Sequence, residues 1–138
     1  MSHTFREFAL LPELQRALDE AGYTEPTPIQ TQAIPVLLQG GDLIGVAQTG
    51  TGKTLAYLLP ILQRISLGGH DPLAVVLCPT RELATQTANY FATHGKHLQL
   101  SMALLIGGVG MDEQWRLLRR IDGVVERRRE HPDVRRLE

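Results

Sequence analysis

The chain has 138 residues, a length that favours one globular domain over two. Hydrophobic residues make up 43% and charged residues 21%, which excludes a disordered chain and a collagen-like repeat. The single cysteine, Cys78, excludes an internal disulfide and a thiolate metal cluster, and it favours a reducing compartment. Because no apolar run reaches about 18 residues and no export signal opens the sequence, a cytoplasmic protein without a membrane partner is predicted.

Charge is distributed unevenly, although the net charge is only -1. Through Gln114 there are 6 basic and 10 acidic side chains, whereas from Trp115 onward there are 8 basic and 5 acidic ones. A basic tail can bind nucleic acid or an acidic partner, but mixed-sign runs are typical of solvated helix faces. The solvated face is the favoured interpretation, and a binding role for the tail stays open.

Two helices are predicted near the start of the chain. Apolar residues at helical spacing predict the first over Leu11 to Ala21, with Pro12 in its first turn and Gly22 at its end. The second is predicted from Pro28 to about Gln39. It contains Pro35, where we expect a kink or an early break, because proline removes a backbone hydrogen bond and crowds the preceding turn.

Beyond this point, short apolar segments alternate with amphipathic ones. The predicted strands are Asp42 to Val46, Leu73 to Cys78, Leu98 to Ile106 and a further one beginning at Ile121 to Val125. The predicted helices are Lys53 to Ser66, Arg81 to His94 and Met111 to Arg120. Such alternation is typical of parallel strands covered by helices, and therefore of an α/β layered sheet.

The segment AQTGTGKT, from Ala47 to Thr54, fits the looser form of the phosphate-binding loop. Gly50 and Gly52 allow backbone N–H groups to wrap around a triphosphate, and the following helix presents its positive end. Lys53 adds a charge for the outer phosphates, and the Thr54 hydroxyl suits Mg²⁺. The alternative is a glycine-rich turn that binds nothing, which the position between an apolar strand and an apolar helix disfavours.

A second cluster, GYTEPTPIQ, ends at Gln30. The Gln30 carboxamide has a donor beside an acceptor, which matches the N6 and N7 edge of adenine and would select ATP over GTP. Phe5 or Phe8 could stack on the same base. On physical grounds alone, the favoured alternative is a rigid proline turn, two core aromatic residues and an exposed helical glutamine.

Taken together, these segments resemble the DEAD-box ATP-dependent RNA helicases. GYTEPTPIQ is similar to the family's adenine-sensing Q motif, with Phe5 at the family's aromatic offset of 17 positions before Gly22. AQTGTGKT is similar to motif I, PTRELA at Pro79 to Ala84 to motif Ia, and Gly107-Gly108 to the GG element. The resemblance covers about residues 5–120, which is most of the chain.

The resemblance implies a role for each matching residue. Phe5 would stack on adenine, Gln30 would read its edge and Thr27 would tie this segment to the phosphate loop. The residues implied to hold ATP are Phe5, Thr27, Gln30, Gln48, Thr49, Gly50, Thr51, Gly52, Lys53 and Thr54, of which Lys53 and Thr54 are implied in catalysis and Thr54 in Mg²⁺ binding. Contacts to the RNA sugar-phosphate backbone, independent of sequence, would come from Thr80, Arg81, Gly107 and Gly108.

The implied fold is α/β, a P-loop NTPase RecA-like parallel sheet with helices on both faces. Residues 1–30 would form a Q-motif segment, 31–125 a partial ATP-binding helicase domain and 126–138 an Arg-rich tail. The 138 residues lack the family's Asp-Glu-Ala-Asp, Ser-Ala-Thr and Thr-Pro-Gly-Arg motifs and its second, C-terminal RecA-like domain. Since the Ser-Ala-Thr strand pairs with the phosphate-loop strand in that family, an incomplete, truncated sheet of marginal stability is expected.

The leading functional hypothesis is an N-terminal fragment of an ATP-dependent RNA helicase that binds ATP, Mg²⁺ and RNA. This is an enzyme by family, but without the metal-binding carboxylate motif we expect the chain alone to bind ATP weakly and hydrolyse it negligibly. Two alternatives remain open. One is a small P-loop kinase or unrelated ATPase. The other is non-enzymatic: a truncated module that binds nucleotide or RNA, or a fragment without function.

Overall fold

The structure is a computed structural model that describes residues 3–68 and 74–120. A short 3-10 helix, Phe5–Glu7, precedes five α-helices: α1 Pro12–Glu20, α2 Pro28–Leu38, α3 Lys53–Leu67, α4 Arg81–His94 and α5 Met111–Arg120. The five predicted helices are therefore confirmed to within one residue at either end. The strand predicted to begin at Ile121 and the tail 126–138 lie outside the described residues.

Two of these helices contain a proline beyond their first turn. α2 continues through Pro35 and ends at Leu38, so the expected early break is wrong. The missing N–H frees the carbonyl of Thr31, but Ile34 beside the proline is fully buried and holds this turn in place. α3 likewise continues through Pro60. Packing therefore outweighs the local preference at both positions.

The core is built by helices. α2 packs extensively against α3, α3 also contacts α4, and α1 contacts α4. The buried apolar cluster consists of Phe5, Leu14, Leu18, Ile34, Leu55, Leu58, Leu59 and Leu62. Since burying one such side chain contributes about 1.5–3 kcal/mol, the stability of the described part is concentrated in the 3-10 helix and α1 to α3. Within that part, no helix is both long and apolar enough to cross a bilayer.

The predicted sheet is not formed among the described residues. Residues 42–46, 74–78 and 98–106 have no assigned strand, and the first two segments are largely exposed. Ile44 is 96% exposed and Leu77 90%, where buried strands were predicted. Parallel strands need hydrogen-bonding partners distant in sequence, and no such ladder joins these segments to each other.

Candidate functional site

The loop between residue 46 and α3 holds the segment predicted to bind phosphate. Gly50 and Gly52 have φ angles of +81° and +85°, a left-handed conformation that glycine adopts readily. The Thr51 hydroxyl donates to the Gln48 carbonyl at 2.7 Å and closes the turn. A Cβ added at Gly50 would meet nothing within 4 Å, so the loop is open on that side. Gln48 and Thr49 are exposed on the same loop.

Lys53 spans this loop. Its ammonium donates to the carbonyl of Ala47 and, at 3.2 Å, to that of Gln48. The charge is therefore fixed beside the N-terminus of α3, where the helix dipole also favours an anion. These donors fit a phosphate group, which would take the place of the two carbonyls as acceptor.

Metal binding has less support from the described residues. Thr54 is half-buried in the first turn of α3 and carries the hydroxyl assigned to Mg²⁺. Among residues 3–68 and 74–120, no group of three His, Cys, Asp or Glu side chains is arranged to hold a metal ion. The described part thus offers Mg²⁺ a hydroxyl without a grouped carboxylate, and no catalytic step through the metal is derived.

The first turn of α2 is bonded directly to the phosphate loop. The Thr27 hydroxyl donates to the carbonyl of Thr51 at 2.8 Å, and the Gln30 Nε2 donates to that of Gly52 at 3.0 Å. The Gln30 Oε1 in turn accepts the Thr27 N–H at 2.9 Å, as a helix-capping side chain does. Two elements that lie 24 residues apart in sequence are joined in this way.

Gln30 is 2% exposed, so its interpretation as an exposed helical residue is wrong. Its Oε1 and Nε2 each use one hydrogen-bonding position and retain one, which keeps it a candidate for adenine recognition. Phe5 is 1% exposed and packs edge-to-face on Phe8, with ring centroids 5.9 Å apart. Phe5 is a core residue in this structure, and its stacking on adenine stays a prediction.

The residues assigned to RNA also come together. The exposed Arg81 opens α4, and Thr80 caps that helix by accepting the Leu83 N–H at 3.2 Å. A Cβ built on Gly107 would lie 3.6 Å from Arg81 Nη2, and one built on Gly108 would lie 2.9 Å from Nη1. The guanidinium therefore lies against the Gly107–Gly108 turn, and a side chain at Gly108 would displace it.

Two glutamines that the sequence analysis did not single out connect a helix to the backbone of another segment. Gln63 on α3 accepts the Leu11 N–H at 2.8 Å and donates to the Ala9 carbonyl at 2.7 Å. Gln114 on α5 donates to the backbone on either side of the Gly107–Gly108 turn. A glutamine within a helical pattern does not belong to a recognisable motif. The sequence signal for Gln63 was its place four residues after Leu59, next to the apolar face of α3.

Three groups with shifted pKa values lie where α1 and the residues after it meet α4 and the residues after it. The Lys96 ammonium, followed by the His97 ring, lowers the pKa of Glu20 to about 2. Burial lowers the pKa of His94 and raises that of Tyr23, whose rings pack edge-to-face with centroids 5.3 Å apart. These contacts connect α1 and the residue Tyr23 after it to α4 and the residues that follow α4.

Comparison with known proteins gives consistent matches. The sequence model of the family described as DEAD/DEAH box helicase matches residues 27–132. The ATP-dependent rRNA helicase RRP3 of Lodderomyces elongisporus is 46% identical over 122 residues, covering 88% of this chain and 24% of that protein. The ATP-dependent RNA helicase DeaD of Mycobacterium tuberculosis is 44% identical over 118 residues, covering 85% and 21%. The chain thus spans about a quarter of the length of the curated relatives it matches.

Solved structures agree with these matches. A DEAD box protein from the hyperthermophile Methanococcus jannaschii superposes with a TM-score of 0.79 at 29% identity, covering 86% of this chain and 33% of that one. The RNA-helicase Prp28 from Chaetomium thermophilum, bound to ADP, gives a TM-score of 0.75 at 42% identity, covering 85% and 30%. The described helices therefore have the arrangement found in a P-loop NTPase fold of the RecA-like type, although the sheet is not formed among them.

Proposed function

Since the chain belongs to the DEAD/DEAH box helicase family, we propose that it is the N-terminal part of the first RecA-like domain of an ATP-dependent RNA helicase. The observation that carries this is the bonding of Thr27 and Gln30 to the phosphate loop. A small kinase or unrelated ATPase would share the loop without needing this link. In the complete domain we propose a parallel sheet with helices on both faces.

In this proposal, the phosphate loop binds the triphosphate of ATP. Gly50 and Gly52 curve the backbone so that amide groups face the phosphates, and Lys53 neutralises their charge. Gln30 and Thr27 fix the position of the loop, and the remaining bonding positions of Gln30 meet the adenine edge. When bound through Thr54, Mg²⁺ would supply charge stabilisation to the outer phosphates.

Nucleotide binding is tested by Lys53→Ala. Because a charge-assisted hydrogen bond contributes about 1.5–3 kcal/mol, Mg-ATP should bind about tenfold or more weakly to this variant, as measured by calorimetry. Arg64→Ala is the matched control, since it removes an exposed cation from the same helix. An unchanged dissociation constant for Lys53→Ala, or equal competition by GTP, would refute the proposal.

We propose that RNA binds at the Arg81 face. The guanidinium suits a phosphate, and the bare Gly107–Gly108 turn allows close approach of the sugar-phosphate backbone. Thr80 uses its oxygen as an acceptor within α4, so its hydroxyl proton is available to a phosphate oxygen. Such contacts do not read bases, and therefore binding independent of sequence is expected.

This second site is tested by Arg81→Ala. Loss of one phosphate contact should weaken binding of oligouridine and lower the salt slope of binding by about 1. Arg64→Ala again serves as the control, because it removes an equal charge from α3. If the two variants bind oligouridine with the same affinity and salt slope, Arg81 is not a phosphate contact.

We further propose that the 138-residue polypeptide by itself binds nucleotide or RNA without appreciable hydrolysis. The described residues hold no carboxylate cluster for Mg²⁺, and the 138 residues contain no Asp-Glu-Ala-Asp motif. Phosphoryl transfer needs such a group to place the metal and the attacking water. RNA-stimulated release of phosphate by the purified chain would overturn this, with Lys53→Ala as the control for a contaminating ATPase.

A further inference from the structure

Gln114 bridges the two ends of the glycine turn. Its Nε2 donates to the carbonyl of Ile106 at 3.0 Å and to that of Val109 at 3.0 Å. A primary carboxamide has two N–H groups in one plane, diverging from a single nitrogen, and both are used here. The two backbone oxygens that flank Gly107 and Gly108 are therefore fixed relative to each other and to α5.

This turn needs an external support. Gly108 has a φ of +87°, and glycine loses more conformational freedom on ordering than any other residue. The described residues pair no carboxylate with the exposed Arg81 that lies against the turn. Arg81 and the two glycines form a surface whose order depends on hydrogen bonds from other segments. Gln114 supplies two of these bonds.

We propose that Gln114 is a positioning residue for RNA, which holds the Gly107–Gly108 turn in the shape that places Arg81 beside it. The inference rests on the proposed RNA-binding function and extends it to a side chain that does not touch RNA. Removing the carboxamide takes away both hydrogen bonds, only one of which is part-buried, and releases the turn. Binding of RNA must then also order the turn, which reduces the net binding free energy and lowers the affinity for RNA.

The test compares Gln114→Ala with Gln86→Ala, a variant of an exposed glutamine on α4. Gln114→Ala should shift the NMR amide signals of Gly107 and Gly108 and weaken oligouridine binding about threefold to tenfold. Binding of Mg-ATP should not change, because the phosphate loop lies on another element. Gln86→Ala should leave all three measurements as in the parent chain.

A glutamate at the same position separates hydrogen bonding from packing. Gln114→Glu is nearly isosteric but presents an acceptor to two carbonyls, so it should shift the glycine signals more than Gln114→Ala does. Gln86→Glu controls for the added negative charge in the RNA measurement. Should the alanine variant unfold α5, Gln114→Met removes the donors while keeping an unbranched side chain of good helix propensity.

The outcomes separate the two ideas. If the parent chain does not bind oligouridine, the RNA-binding function fails, whereas the glycine signals still report whether Gln114 holds the turn. If the parent chain binds and Gln114→Ala binds equally well, the positioning role is refuted. It is also refuted if the signals of Gly107 and Gly108 move neither in Gln114→Ala nor in Gln114→Glu.

Discussion

At the scale of single residues, Gly52 is the most constrained position of the phosphate loop. It has a φ of +85°, and an added Cβ would collide with the carboxamide of Gln30. Gly52→Ala therefore combines backbone strain with displacement of the side chain that bonds to this residue's own carbonyl. We expect a loss of about 2–4 kcal/mol in the free energy of unfolding, measured by urea denaturation.

Gly50→Ala is a matched control for that measurement. Its φ of +81° gives the same strain, but a Cβ there would meet no atom within 4 Å. The cost should be only about 1–2 kcal/mol, which is the left-handed penalty alone. Equal destabilisation of the two variants would show that Gln30 and Gly52 are not in close contact.

His94 gives a residue-scale prediction for pH. The ring is 1% exposed, its Nδ1 has no partner among the described residues, and burial lowers its pKa from the ordinary value of 6.5. As the pH falls, His94 takes up a proton in the unfolded chain before it does so in the folded chain. The stability contributed by neutral, buried His94 is therefore present above pH 6.5 and is lost as the pH falls towards the lowered pKa. His94→Phe, which keeps the packing on Tyr90, should unfold with less dependence on pH between 7 and 5. A variant with the parent's full pH dependence would contradict this.

At the scale of elements, Gln63 connects α3 to the segment before α1. Gln63→Ala removes two bonds to the backbone, an exposed one to Ala9 and a part-buried one that leaves the Leu11 N–H without its acceptor. We expect a destabilisation of about 1–3 kcal/mol and faster hydrogen exchange at the Leu11 amide. Gln32→Ala, at an exposed position on α2, is the control and should exchange like the parent chain. Unchanged protection in Gln63→Ala would show that the bridge is absent in solution.

A second link between elements is ionic. Glu20 at the end of α1 bonds to Lys96 and His97 beyond α4, and its pKa is lowered from 4.5 to about 2. A lowered carboxyl pKa gives stability that is present above pH 4.5 and lost as the pH falls towards 2. Glu20→Gln should therefore show a smaller acid-induced loss of stability across this range in thermal unfolding. If the parent chain and the variant lose stability in parallel, the ion pairs contribute nothing in solution.

The helices were predictable because their information is local. Apolar spacing and the end residues Pro12 and Gly22 define α1, and the motif at Lys53 gave the start of α3. The bonds from Gln63 and Gln114 were not predictable, because each reaches a backbone atom of another segment. The burial of Gln30 was missed for the same reason, since only the folded chain brings Gly52 beside it.

At the scale of the whole molecule, the segments that the sequence pattern predicted as buried strands are largely exposed in the described part of the structure. The apolar segments 42–46 and 74–78 have the composition of β-strands, but composition alone does not provide the hydrogen-bonded partner strand that a sheet needs. Their pairing depends on segments far away in sequence, whereas α1 to α3 bury their faces against near neighbours. The residues of these motifs keep their positions because Gln30 and Arg81 lie in the first turns of α2 and α4, and Thr27 caps α2.

The uncovered segments lead to a prediction for the purified 138-residue chain. Ile44 and Leu77 are 96% and 90% exposed, and exposed apolar segments with free backbone groups are prone to edge-to-edge association. We expect a broad thermal transition and self-association that increases with concentration in sedimentation experiments. The double variant Ile44→Thr and Leu77→Thr keeps β-propensity while removing apolar surface, so it should associate less. A monomeric parent chain with a sharp, cooperative transition would show that these segments are covered in solution and that the sheet forms without further partners.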